Sequence, residues 1–294
     1  MVRRTTTGFI RRAQHHALAG WLALVGLAGL GIADAQAQTA APAAPATAAF
    51  DTDELELYLV PDARGRTAGT FRVRNNGRAA GTATLYVNDW DRSVDGENRF
   101  FPLGSQPGSC RTAVRIFPAN VRLAAGSEQT VRVEFDAGQP ITAPCWSIVF
   151  VESAPTPAAG NTSQVMVQMR TGVKVYVAPP NAARLAELTD LKLDRHRPIP
   201  PEPASDTLGV DVVASVRNQG GMQVPFAGRI EYRTLDDAVV STQRLTPTPV
   251  LPGAAREIRV RVPKLPAGRY VAVALLDYGG AEILAGQAEL EVRP

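Results

Sequence analysis

The chain has 294 residues, 45% of them apolar, and its 31 lysines and arginines exceed 28 aspartates and glutamates by a formal charge of +3. Four of the arginines (Arg3, Arg4, Arg11, Arg12) but only one acidic residue, Asp34, fall within the first 37 positions, so the remainder balances at 27 against 27. Global charge therefore gives no support to a nucleic-acid or anionic-membrane partner.

Those first residues read as a secretory signal peptide: a basic n-region, the apolar run Trp21–Ile32, and small-residue cleavage choices ending at Ala35 or Ala37. Twelve apolar residues fall well short of the roughly 20 that a spanning helix needs, so no integral membrane span is expected once residues 1–37 are removed. Residues 38–52, rich in alanine and proline, are expected to form a flexible tether.

From Leu55 onward the apolar period is two, the mark of half-buried strands. LELYLV sets Leu55, Leu57 and Leu59 on one face, and TFRVRN sets Phe71 and Val73 against Arg72 and Arg74. TATLYVNDW, VRIFP, QTVRVEF, CWSIVFVE and QVMVQMR continue the series between turn-rich stretches. Short strands with frequent turns predict a β-sandwich over residues 53–180. The prolines of APPN (178–181) then break the ladder, and HRPIPPEPASD (196–206) reads as a solvated loop. Strands return in GVDVVASVRN, FAGRIEYRT, AVVSTQRL, REIRVRVP, RYVAVALLDYG and AELEV, which predicts a second sandwich over 181–294. The halves share a pattern: Val73-Arg-Asn-Asn-Gly77 recurs as Val216-Arg-Asn-Gln-Gly220, and the turn from Leu123 to Gly126 recurs from Leu251 to Gly253. The fold class is thus all-β, two tandem immunoglobulin-like sandwiches after a signal peptide and tether.

Cys110 and Cys145 are the only cysteines, and export places them where a disulfide is the default, two separate buried thiols being the alternative. Past the signal region the single histidine is His196, in the proline-rich stretch, so a histidine-based catalytic site or a multi-histidine metal site has no material to be built from. Asp89, Asp91, Asp95 and Glu97 suggest a calcium loop only until its twelfth position, which is Pro102 where a bidentate glutamate is required. A polar hairpin is the plainer reading. No catalytic residue, metal or cofactor is expected, and the protein is read as a non-enzyme.

One stretch is more specific. IFPANVRLAAGSEQTVRVEF, CWSIVFVESAP, a flexible loop and SQVMVQMRTGVKVYVAP follow one another in an order that resembles the N-terminal domain of the periplasmic pilus chaperones, the PapD-like proteins of the chaperone-usher pathway. Pro118, Leu123, Gly126, Gln129, Val131 and Arg132 match the family's turn and strand; Glu152 and Pro155 match its E-x-P-P; Thr171, Val173, Lys174, Val175 and Pro179 match its last strand. The similarity covers residues 53–180, and LLDYGGAEIL from Leu275 extends it thinly into the second half. The resemblance implies a periplasmic chaperone for pilus (fimbrium) assembly that binds pilin-like or other exported subunits by adding its 164–174 strand to them, with an outer-membrane usher as a possible second partner. It implies partner contacts from Val165, Val167 and Met169 on one side of that strand, with Met166, Gln168 and Arg170 opposite, unless the first three face their own core. It also implies a carboxylate anchor at Lys174. The family's second basic residue falls by gapless count on Leu59, which leaves Lys174 without a paired charge. The competing readings are a structural or adhesive envelope protein made of immunoglobulin-like modules and a small-ligand or glycan-binding module.

Overall fold

The computed structural model describes residues 47–157, 166–198 and 202–293. The expected signal peptide lies outside the described residues, as do most of the tether and Val165.

The first sandwich is built from β1 (Phe50–Thr52), β2 (Glu56–Leu59), β3 (Arg66–Asn75), β4 (Gly81–Arg92), β5 (Asn98–Phe101), β6 (Val114–Phe117), β7 (Asn120–Leu123), β8 (Glu128–Asp136), β9 (Cys145–Ser153) and β12 (Arg170–Val177). A two-residue ladder, β10 (Thr156–Pro157) with β11 (Met166–Val167), stands apart from both sheets. One sheet runs β1-β3-β8-β6 and the other β2-β12-β9-β4-β5, with β7 alongside β4. Their inner faces carry the alternation seen in the sequence. Phe71, Val73, Val131 and Val133 from one meet Leu85, Val149, Val151, Val173 and Val175 from the other, all fully buried. Arg72 and Arg74 point outward as expected. A disulfide joins Cys110, at the start of a single 3-10 turn, to Cys145 at the head of β9.

The second sandwich comprises β13 (Ala186–Arg195), β14 (Val210–Asn218), β15 (Val224–Thr234), β16 (Val239–Val250), β17 (Ala255–Arg261), β18 (Gly268–Asp277) and β19 (Ile283–Val292). Its sheets are β13-β14-β17 and β16-β15-β18-β19, closed over Val212, Val216, Phe226, Ile230, Tyr232 and Leu276.

The repeated sequence pattern has a common physical content. Asn75 is fully buried, donates from Nδ2 to the carbonyls of Ala79, Leu123 and Ala124, and accepts at Oδ1 from the N–H of Ala49 and Gly77. Asn218 does the same work in the second sandwich, donating to the carbonyls of Met222 and Val250 and accepting from Gly220. In each case the asparagine carbonyl also receives the N–H of the turn glycine, Gly126 or Gly253, both at φ 73° where a side chain would be strained. A buried amide with all its bonds made thus ties a strand end to a turn some 30 to 50 residues away.

Three sequence expectations need correction. The tether does not extend to residue 52, because Phe50 is buried and Phe50–Thr52 pairs with Val73–Asn75. Leu55 precedes β2 and is exposed, so only Leu57 and Leu59 of the expected trio face the core. His196 is not solvated. The segment after β13 folds back, placing His196 Nδ1 2.6 Å from Asp211 Oδ1, while the Arg197 N–H donates to Asp211 Oδ2.

Candidate functional site

Strand β12 pairs antiparallel with β9 over its whole length, from Arg170 opposite Glu152 to Val177 opposite Cys145. On its other side β2 joins in parallel only from Lys174 onward, the Lys174 N–H donating to the Leu55 carbonyl. The outer edge of Arg170–Val173 therefore carries no neighbouring strand among the described residues. An open ladder edge of this kind is a ready template for another strand.

Just before that edge the chain presents Met166, Val167 and Met169, at 55%, 43% and 53% exposure. The sequence reading placed Val167 and Met166 on opposite faces of one continuous strand. The structure breaks the strand at Gln168–Met169. There the Met169 N–H turns to the Ser153 hydroxyl and the Gln168 amide to Glu152, so period two lapses and all three apolar side chains reach solvent. Val167 and Met169 are accordingly not part of their own core. The expected 164–174 strand is confined to 170–177, with 166–167 in the separate short ladder.

Lys174 lies at the other end of the open edge, on the outer face of the sheet, where Val173 and Val175 to either side point into the core. That outer face is aromatic. Trp90 is buried and donates from its indole to the Ser147 carbonyl; Tyr176 meets it edge-on, and Tyr58 stacks on Tyr176 at 4.9 Å. Lys174 Nζ stands 4.7 Å from the centre of the Trp90 ring, and the Arg92 guanidinium 5.8 Å from it. The nearest carboxylate, Glu56, is 4.0 Å from the ammonium, and its oxygens already accept from the hydroxyls of Tyr58 (2.6 Å) and Tyr176 (3.2 Å). Burial, and then the Glu56 carboxylate, keep both tyrosines protonated well above the ordinary tyrosine range.

The second sandwich closes one side of this face. Leu251 and Ala254 pack with Trp90 and Tyr176. Tyr58 Oη lies 3.0 Å from Gln223 Oε1, Arg92 Nη1 donates to the Pro249 carbonyl, and the Glu257 N–H donates to the Val94 carbonyl at the tip of the β4–β5 hairpin. Arg256, at the start of β17, lays its guanidinium against Gly96 of the same hairpin. Its Nε and Nη1 are buried without a hydrogen-bond acceptor among the described residues. Burial first, then Arg92, with Arg256 adding to it, hold Lys174 below the ordinary lysine range against the opposing pull of Glu56. Burial and Arg92 likewise depress Arg256, with Asp95 opposing.

Lys174 is therefore not a single charge. The position of Leu59, onto which the family's second cation was mapped, faces the hydrophobic core and could not serve. The outward residues of that strand are Glu56 and Tyr58, and the further cations come from β4 and β17. Nothing in the sequence singled out Arg92 or Arg256, since one sits in a polar hairpin and the other some 80 residues after Lys174 in a different sandwich. Such an arrangement suits a carboxylate. It offers no nucleophile paired with a base. The acidic residues of the hairpin are dispersed: Asp89 is buried and accepts from Ser109 and the Gln106 N–H, while Asp91 forms a bidentate pair with Arg99. Among the described residues no group of three or more His, Cys, Asp or Glu side chains is placed to hold a metal.

No protein-family model matches the chain, and no curated protein is similar to it. Solved structures with a similar trace include the class 5 fimbriae chaperone CfaA, at 13% identity and TM-score 0.45, covering 84% of this chain and 100% of that one. The E. coli chaperone DraB is 16% identical with a TM-score of 0.42, covering 84% of this chain and 97% of its own. The CsuC–CsuE chaperone–tip adhesion subunit pre-assembly complex of Acinetobacter baumannii is matched at 12% identity and TM-score 0.41, covering 81% and 97%.

Proposed function

We propose that this protein is a periplasmic, non-enzymatic chaperone that holds exported, pilin-like subunits by lending them a strand. The supporting observation is the conjunction at one end of β12: an edge at Arg170–Val173 that has no neighbouring strand among the described residues, exposed Met166, Val167 and Met169 leading into it, and the Lys174 ammonium beyond it. A subunit lacking a strand would pair its main chain with this edge, take Val165, Val167 and Met169 into its own apolar groove, and set its terminal carboxylate near Lys174. Delivery to an outer-membrane usher belongs to the same reading. So does the division into a signal peptide (1–37), a chaperone-like sandwich ending near residue 180, and a second sandwich after it.

The test is co-expression with a pilin-like subunit encoded beside this chain, followed by affinity capture from the periplasm. Val167→Asp should abolish co-capture while the variant melts like the parent, because the side chain it replaces is already 43% exposed. A structural or adhesive module would show no subunit capture by the parent protein, and that result would sink the proposal.

A further inference from the structure

The four-stranded sheet of the second sandwich ends in two unlike edges, β16 and β19. β19 closes against β13, whose Leu188 and Leu191 crowd the space that a side chain at Gly286 would take. β16 pairs with β15 alone, and its other side carries no strand among the described residues. It is 12 residues long, and a long uncovered edge is a template for another strand unless something blunts it. Pro247 and Pro249 blunt its second half, since neither has an N–H to donate. The first half, residues 239–244, has no proline, and its two valines, Val239 and Val240, are 51% and 47% exposed. Leu235, in the turn before it, is exposed as well.

Charge says which strand fits. Arg244 lies directly across from Arg229 of β15, and like charges so placed repel. The one acid beside them, Glu231, accepts from Arg229 at 2.6 Å and also from Arg233. Arg244 has no hydrogen bond or ion pair among the described residues, and neither has Asp236, exposed in the turn between β15 and β16. An unpartnered cation and an unpartnered acid thus flank one uncovered segment. If this segment runs antiparallel to its own copy about Ser241, Val239 faces the partner's Gln243 and Val240 faces the partner's Thr242. Arg244 then faces the partner's Ala238, next to the turn that holds the partner's Asp236. Both charges are answered twice, once on each side of the axis, and no like charges are opposed.

We propose that residues 239–244 of β16 are a self-association edge, at which the protein pairs with a second copy of itself by an isologous antiparallel contact centred on Ser241. The contact joins the two four-stranded sheets into one continuous sheet and ends where Pro247 begins. It uses no residue of the first sandwich, so the uncovered edge of β12 is not spent in it, and it stands independently of the chaperone reading.

The experiment is sedimentation equilibrium of the exported protein over a range of concentrations. The parent should form a reversible dimer with a dissociation constant on the order of 10 µM, as suits a small contact. Asp236→Arg and Arg244→Asp should each weaken the dimer by about tenfold or more, and the two together should restore it, because the charges then exchange places across the axis. Each variant should melt like the parent, both side chains being exposed. Ser241→Cys should give a disulfide-linked dimer in air, since residues directly opposite in an antiparallel pair lie within disulfide reach, whereas Thr242→Cys, facing the partner's Val240, should not. A protein still monomeric at about 500 µM, a dimer indifferent to either charge reversal or not restored by both, cross-linking through position 242 in place of 241, or assemblies that grow beyond two copies would each overturn the proposal.

Discussion

Replacing Lys174 with methionine should separate the cost of this site to the folded protein from its use. Methionine keeps a flexible apolar stem against Trp90 and Tyr176, so little packing is lost. The Lys174 side chain is only 16% exposed, its ammonium is depressed chiefly by burial and then by Arg92, and among the described residues Glu56 at 4.0 Å and the face of the Trp90 ring at 4.7 Å compensate it. Removing it should leave stability unchanged or raise it by up to about 1 kcal/mol, a melting shift of roughly 2 to 4 °C for a chain of this size. Binding should move the other way, losing about 1 to 3 kcal/mol, a factor of roughly 5 to 150. The linkage has a definite sign. A lysine whose native value lies below its unfolded value makes the unfolded chain bind more protons in between, so the parent gains stability as pH rises from that lowered value toward 10.5. The variant should lack this gain. Melting scans at neutral and alkaline pH, with binding of a synthetic strand peptide as free acid and as amide, measure each quantity. A methionine variant that melts many degrees lower, or that still distinguishes acid from amide as the parent does, would refute the reasoning.

Paired Cys110→Ser and Cys145→Ser changes should lower stability by about 3 to 4 kcal/mol, from the closure entropy of a 35-residue separation, and chemical denaturation in the absence of reductant measures it. Leu59→Arg, although it restores the residue type the sequence comparison expected, should prevent the first sandwich from folding, because the buried side chain lies beside Val177 in the core and against Gly69 of β3; a soluble, cooperatively melting product would contradict this. Asn75→Ala and Asn218→Ala should each cost about 2 to 3 kcal/mol through orphaned carbonyls, with amide exchange rising selectively in the affected sandwich.

What was legible in the sequence followed from periodicity, and what was not followed from irregularity or distance. The alternation Phe71, Arg72, Val73, Arg74 ends in a buried asparagine, and both sandwiches announce themselves by that signature. The strand β13 escaped notice because a register shift between Leu188 and Asp190 interrupts its period of two. Phe50 looked like the end of a low-complexity run, since a three-residue strand carries one core side chain and hence no pattern. At Met166–Met169 the period was present in the letters but not in the backbone, where side-chain bonds from Ser153 and Glu152 break the strand. His196 gave no sign of burial because its partner, Asp211, lies across the turn that returns the chain to β14. The cation site was half visible. Lys174 stood in a matching motif, whereas Arg92 shares the Trp90 ring with it only through the folding of β4 beside β9 and β12, and Arg256 belongs to the second sandwich; neither leaves a trace along the chain.

The pairing order of the first sandwich also bears on its birth. A chain synthesised from its N-terminus delivers β1 to β9 before β12. The sheet can therefore organise around β4 and β9 while the open edge does not yet exist, and β12 arrives as the last strand to be laid down. β2, which waits for it, joins from Lys174 onward and leaves Arg170–Val173 uncovered. The uncovered edge of the first sandwich is thus made last, after the strand β9 along which β12 pairs.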